Sequence, residues 1–289
     1  MGEITLTIDG KTLKGNSGQT VLEIAMENGI DIPNLCYDPR ISPTGACRLC
    51  LVEIEGQRGL QTSCTRAAEE GMQVVTETKE IARIRKTTLE LLISEHRLVC
   101  TTCDSDGDCL LQDYAYRYQV NEHRFEPIPL STVKRNYTSG DKAIVYDPTK
   151  CIRCQRCVKI CEEVQMANAL TLRDRAGSSL VTTGFDTKLK ETTCETCGQC
   201  VSTCPVSALY DKAAVGKGRP KDVEKTTTTC PYCGVGCQLD LNVNKVTGEL
   251  IRVTSEVGCI PNDGNTCVKG RFGLDFVGKD DRLTTPLIK

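Results

Sequence analysis

Tryptophan is absent from these 289 residues, phenylalanine occurs four times, histidine twice, and aromatics make up only 4% of the chain. So little aromatic surface cannot fill one large core, and several small units must be held together by something besides apolar burial. A dominant charge is missing too: 36 Lys and Arg stand against 38 Asp and Glu, a formal charge of −2. That leaves no global basic field for nucleic acid. No apolar run approaches the length of a membrane span, and Met1 to Gly10 lacks a charged segment followed by a hydrophobic one. The expectation is a cytoplasmic chain. What it has in excess is cysteine, twenty in all. In a reducing compartment that number reads as metal ligands rather than disulfides. A secreted disulfide scaffold, a membrane subunit and an ordinary single-core enzyme are therefore excluded by composition.

The cysteines fall into four groups, each in its own compositional neighbourhood. The expected organisation is a module at 1–78, a second at 79–136, a third at 137–215, a linker at 216–227 and a fourth module at 228–289. The class is α+β and multidomain. In the first module Ile4, Leu6 and Ile8 alternate with Thr5 and Thr7, and Asp9-Gly10 signals a hairpin turn. A short helix follows, capped by Thr20 and closed by Gly29. Then come a loop rich in proline and glycine and a strand at Leu51 to Glu55. Strands around one helix with a ligand-bearing loop suggest a β-grasp ferredoxin. Its ligands are Cys36, Cys47, Cys50 and Cys64, spaced C-x10-C-x2-C-x13-C. Such a loop can aim backbone N–H groups at sulfur, which suits a [2Fe–2S] cluster. Zinc is the competing reading, but it usually takes two C-x2-C knuckles, and one is present.

The second module opens with a helix from about Lys79 to Glu95, with Ile81, Ile84, Thr88, Leu91 and Leu92 on one face. His96, Cys100, Cys103 and Cys109 follow as H-x3-C-x2-C-x5-C. Imidazole can replace one thiolate of a cluster and raise its potential, so a [4Fe–4S] site is expected here; a Cys3His zinc site competes. His123, with no cysteine close by in the chain, reads as structural. The third module is the most specific. Cys151, Cys154, Cys157 and Cys161, and again Cys194, Cys197, Cys200 and Cys204, read C-x2-C-x2-C-x3-C. In the bacterial two-cluster ferredoxin run each motif's fourth cysteine serves the other cluster. One [4Fe–4S] is then assigned to Cys151, Cys154, Cys157 and Cys204, the other to Cys194, Cys197, Cys200 and Cys161. The stretch from Glu162 to Thr193 is expected to form a helix and a hairpin between the motifs.

The fourth group is Cys230, Cys233 and Cys237, with either Cys259 or Cys267 able to be the fourth ligand on spacing alone. A hairpin pattern runs between them from Leu239 to Val253. These residues carry a resemblance. The first three modules resemble the amino-terminal part shared by the large iron–sulfur subunit of respiratory complex I, [FeFe] hydrogenase catalytic subunits and NAD-linked formate dehydrogenase α-subunits. The fourth resembles the first domain of the molybdenum/tungsten bis-pterin oxidoreductases, whose pattern C-x2-C-x3-C … C-x-K-G-R-F matches Cys267-Val268-Lys269-Gly270-Arg271-Phe272. That resemblance implies Cys267 as ligand, leaves Cys259 spare, and places Lys269 as the residue bridging cluster and pterin. Both ferredoxin motifs are complete, which favours formate dehydrogenase-like wiring over complex I.

The resemblance also implies a partner: a flavin- and NAD(P)-binding iron–sulfur subunit, with ferredoxin or a second redox catalytic subunit beyond it, in a hetero-oligomer of the electron-bifurcating type. In the molybdoenzymes the pterin-binding body begins where this chain reaches Asp281 to Ile288, so no catalytic residue is expected here. Gly234-Val235-Gly236 does not continue as G-x-G-x-x-G, and no phosphate-binding G-x-x-x-x-G-K-[ST] occurs. The expectation is an electron-transfer chain with one [2Fe–2S] and four [4Fe–4S] clusters and no flavin, NAD or pterin of its own. Two rivals are the electron-wire portion of a bis-pterin formate dehydrogenase and, remotely, a zinc-ribbon interaction protein.

Overall fold

The computed structural model describes residues 2–126, 138, 141–174, 179–283, 285–286 and 288. The boundary expected between 136 and 137 lies outside them. Strands β1 (Glu3–Ile8) and β2 (Lys11–Asn16) pair antiparallel. Asp9 and Gly10 between them both take left-handed backbone, φ 50° and 77°, as a two-residue hairpin turn requires. Helix α1 (Val21–Glu27) starts in a full capping box: the Thr20 hydroxyl accepts from Glu23 N–H, and the Glu23 carboxylate accepts from Thr20 N–H. Strands β3 (Leu51–Ile54), β4 (Gln61–Thr62) and β5 (Gln73–Val75) complete a five-stranded sheet in the order β2-β1-β5-β3-β4, with β1 and β5 parallel. Leu6, Ile8, Leu22, Ile24, Val52 and Val74 form one buried core between sheet and helix.

Helix α2 (Lys79–Ser94) covers the expected span, capped by Thr78. Its buried face differs from the expected one. Ile81, Arg85, Leu89 and Ile93 point inward at four-residue spacing, while Leu91 is exposed. The helix rotates because Arg85 finds partners inside: its guanidinium donates to the Leu49 and Leu51 carbonyls at 2.8 Å each, and to Glu77 and Tyr118. A buried arginine is tolerable when its donors are satisfied in this way. Helix α3 (Leu110–Arg117) packs on α2. In the third module β6 (Ile144–Tyr146) pairs antiparallel with β9 (Leu209–Asp211), framing short helices α4 (Arg156–Lys159) and α5 (Gln199–Ser202). Ile160–Val164 forms one π-helical turn continuing α4, and β7 (Thr171–Arg173) and β8 (Leu180–Thr182) pair antiparallel, so the expected strand pair is present while the helix expected within 162–193 is only the end of that turn. One continuous core joins Leu35 and Leu49 of the first module, Leu89 and Tyr114 of the second, and Ile144 and Leu209 of the third.

The fourth module is a three-stranded sheet, β10 (Val223–Thr229), β11 (Gln238–Asn244) and β12 (Leu250–Thr254), with helix α6 (Val268–Phe272) against β12. Here the linker expected at 216–227 is corrected. Residues 223–229 are in register with β11, from Val223 opposite Asn244 to Thr229 opposite Gln238. Threonine is β-branched and fits a pleated, half-solvated surface, so a threonine run makes an edge strand as readily as a loop. No helix is long and apolar enough to cross a membrane among the described residues.

Candidate metal centres

Cys36, Cys47, Cys50 and Cys64 are all buried at the edge of the first sheet. The loop bends through left-handed residues at Gly45 (φ 60°) and Arg48 (φ 56°), which turns amides toward sulfur. Leu35 N–H donates to Cys47 Sγ at 3.4 Å and Cys47 N–H to Cys36 Sγ at 3.5 Å. The four thiols interact: hydrogen bonds from Cys47 and Cys64 hold Cys36 far below an ordinary thiol, while Cys64 is pushed up. Arg85 takes both carbonyls that flank Cys50, so the second module grips the first module's ligand loop.

His96 is buried at the end of α2 and lines a small cavity with Cys100, Cys103 and Cys109. Its Nδ1 lies 2.8 Å from the Lys150 carbonyl oxygen, one residue before Cys151. A carbonyl can only accept, so Nδ1 carries the proton and Nε2 is left as the lone-pair donor. Burial lowers the ring's proton affinity, which keeps it neutral. A neutral imidazole with one nitrogen fixed by a carbonyl is the state a metal-binding histidine needs.

The third module repeats its loop with the same backbone turns. Arg153 and Thr196, each two residues past the first cysteine, are left-handed at φ 57° and 55°; Gln155 and Gly198, each one past the second, are left-handed at 66° and 75°. Arg153 N–H and Thr196 N–H donate to Cys151 Sγ and Cys194 Sγ, both at 3.4 Å. The third cysteine of each run, Cys157 or Cys200, then sits in the short helix that follows. The fourth crosses over. Burial raises the thiols of Cys154 and Cys157, and the nearby charge of Cys204 raises them further. Likewise Cys194, Cys197 and Cys200 feel Cys161, and these four cysteines line one small cavity. Ala169 N–H and Leu209 N–H reach the sulfurs of the exchanged pair, Cys161 at 3.4 Å and Cys204 at 3.5 Å.

In the fourth module Cys230 is buried, Cys237 half-buried, and Cys233 and Cys267 exposed. Burial raises the Cys237 thiol, and Cys230, Cys233 and Cys267 are the cysteines whose charges act on it. Cys259 turns elsewhere, its sulfur 3.4 Å from Ser255 Oγ and 3.5 Å from Asn262 Oδ1. Cys267 caps α6, and two residues on, Lys269 holds its ammonium 5.9 Å from the Tyr232 ring centre. Among the described residues no three His, Cys, Asp or Glu side chains converge on one point that a single ion would fill.

Sequence reasoning missed the polar groups that lock these loops together. Asp38, two residues past Cys36, is buried and accepts from Arg40 at 2.8 and 3.0 Å, from Arg156 at 3.0 Å and from Thr203 Oγ1 at 2.7 Å. Burial alone would raise its carboxyl, but the Arg40 and Thr203 hydrogen bonds hold it well below the ordinary carboxylate range. Arg271 reaches from α6 to the Cys197 carbonyl at 3.1 Å. Burial pulls its guanidinium down to about 10, still charged at neutral pH. The K-G-R-F motif was the only local signal for Arg271, and it drew attention to Lys269 instead.

Residues 2–79 match the family described as 2Fe-2S iron-sulfur cluster binding domain, and 85–124 the NADH-ubiquinone oxidoreductase-G iron-sulfur binding region. Residues 150–208 match the 4Fe-4S dicluster domain and 223–279 the molybdopterin oxidoreductase Fe4S4 domain. The chain is 42% identical over 99% of its length to an NADH-quinone oxidoreductase subunit of Rhizobium meliloti, and 36% over 99% to the NADPH-Fe(3+) oxidoreductase alpha subunit of Geobacter sulfurreducens. It spans 33% of the length of each. A chain from the crystal structure of an NAD+-reducing [NiFe]-hydrogenase superposes with a TM-score of 0.67 at 34% identity, over 74% of this chain and 90% of that one. The chain belongs to the family of multi-cluster iron–sulfur chains found in these NAD(P)-linked oxidoreductases.

Proposed function

We propose that this chain is the electron conductor of a multi-subunit NAD(P)-linked oxidoreductase, holding one [2Fe–2S] and four [4Fe–4S] clusters. The carrying observation is the doubled third-module loop, with identical left-handed positions, matching N–H to sulfur bonds and exchanged fourth cysteines. Once bound, such clusters take up and release single electrons. The chain's residues supply ligands, burial and N–H donors. We assign Cys36, Cys47, Cys50 and Cys64 to the [2Fe–2S] in a β-grasp unit at 1–78. His96, Cys100, Cys103 and Cys109 form the second site, at 79–136. Cys151, Cys154, Cys157 and Cys204, and Cys194, Cys197, Cys200 and Cys161, form the two sites of 137–215. The fourth module, whose sheet begins at Val223, uses Cys230, Cys233, Cys237 and Cys267, with Cys259 spare. Lys269, exposed next to Cys267, suits a pterin or its protein neighbour.

The partner this reading needs is a flavin-bearing subunit that splits a hydride pair into single electrons. Ferredoxin or a second redox subunit takes the other end, in a cytoplasmic complex of the bifurcating type. The test is stopped-flow absorbance on the anaerobically loaded chain. Dithionite or reduced ferredoxin should bleach it quickly, NADH or NADPH should not, and adding the flavin-bearing partner should let the nicotinamide do so. Rapid bleaching by NADH alone would contradict it. A second reading, a conductor serving a bis-pterin body in the same polypeptide, is favoured by the exposure of Cys233 and Cys267 on one module. The mass of the native polypeptide separates the two.

A further inference from the structure

Arg271 is only 4% exposed, yet among the described residues no carboxylate lies within ion-pair distance of it. Arg40, also nearby, is paired with Asp38, which it shares with Arg156. Hydrogen bonds satisfy part of a buried guanidinium, and a nearby anion would stabilise its charge further. Its donors point at the ligand loop of the neighbouring module: Nε to the Cys197 carbonyl at 3.1 Å, and a terminal nitrogen to Gln199 Oε1 at 3.3 Å. The amide of Gln199, itself buried, donates to Asn265 at 2.6 Å, so the fourth module closes a ring of bonds around the loop. Contact is tight enough to dictate sequence. A Cβ on Gly198, the residue after Cys197, would stand 2.1 Å from Arg271 Cδ, and φ of +75° there already favours glycine. The groups whose negative charge, when ionised, acts most on Arg271 are Cys197 and Cys200, with Asp211 across the adjoining cavity a weaker third.

We infer that Arg271 is a positioning residue of the fourth module that supplies the counter-charge for the centre held by Cys194, Cys197, Cys200 and Cys161, raising that centre's reduction potential above the value its own module would set. The inference rests on the ligand assignment proposed above. A fixed cation beside a cluster favours the reduced, more negative state, and low local dielectric magnifies the effect. The potential of one ferredoxin centre then depends on the docking of the next module in the conduction path.

The test is redox-poised EPR of the full loaded chain, with the relevant signal identified by its loss in Cys194→Ser. Arg271→Gln should lower the midpoint of that signal and leave the first-module [2Fe–2S] signal unmoved. Arg271→Lys, which keeps the charge, should stay near wild type. An unchanged midpoint in Arg271→Gln overturns the inference, and so does an equal fall in both variants, which would make the guanidinium bonds purely structural. Where Arg271→Gln fails to load, Arg271→Lys decides alone: a wild-type midpoint supports the charge assignment and a clear fall overturns it. If Cys194→Ser removes no signal from the wild-type spectrum, the ligand assignment itself has failed, a result separable from the others.

Discussion

The first module holds four cysteines and the fourth holds five, and they hold them differently. Cys36, Cys47, Cys50 and Cys64 are all buried beside the core between sheet and helix, and the loop that carries them enters a second core shared with the next two modules. In the fourth module the buried core is Cys230, Leu239, Val253 and Leu274, and two of its cysteines are exposed. Three modules are thus one packed body, and the fourth is a small sheet fastened to it by Arg271 and Asn265 and by Phe272, which packs on the shared core. An insulated interior keeps a cluster dry, whereas exposed ligands mark a place where something else must come close. On the ligand assignment proposed above, the difference separates centres kept in the interior from one placed where a partner can reach it.

Breaking the packed body should cost the most. Asp38→Ala strands Arg40, Arg156 and Thr203 in a buried site, and the loss of one partner from such a network costs about 3–5 kcal/mol. Chemical denaturation of the loaded chain should show it, and a cost below about 1 kcal/mol would mean the junction is not the fastening described. Next comes Leu239→Ala in the small core, expected to cost about 2–5 kcal/mol. Its effect should stay local: limited proteolysis should open the chain after Asp222 while the first three modules resist. Simultaneous loss of all modules would erase the distinction between them.

His96 sharpens the comparison through pH. Burial lowers its proton affinity below the unfolded value of about 6.5, so the unfolded chain binds more protons in acid. The stabilisation is complete above that pH and is lost as pH falls through and below it. Because a proton and a metal compete for Nε2, EPR should show loading of the second site weakening as pH falls below about 6.5, and His96→Cys should change that dependence. The smallest effect belongs to the fourth module's odd cysteine. Cys259→Ser should leave every signal in place, whereas Cys267→Ser should delete one [4Fe–4S] signal; the reverse result would move the ligand from one to the other.

The doubled cysteine loops were legible because their pattern is short: Cys151 to Cys161 and Cys194 to Cys204 state it within eleven residues each. Helix α1 was legible from its Thr20 cap for the same local reason, though its Glu23 partner in the capping box was not read. Arg85 was not, since a charged residue in an amphipathic helix normally faces water, and the partners that explain its burial, the Leu49 and Leu51 carbonyls with Glu77 and Tyr118, lie 8 to 36 residues away. Asp38 and Thr203 are 165 residues apart, and no local pattern reports a pair at that range. The run Thr226 to Thr229 misled because its strand partner is the only thing that distinguishes it from a linker.

The most direct measurement is the iron and sulfide content of the chain after anaerobic reconstitution, read alongside its fold by circular dichroism. One [2Fe–2S] and four [4Fe–4S] clusters require about 18 iron atoms per chain, and an apo chain whose ligand loops lack metal should lose much of its order. A well-folded, colourless chain that binds zinc and takes up no iron would contradict the account.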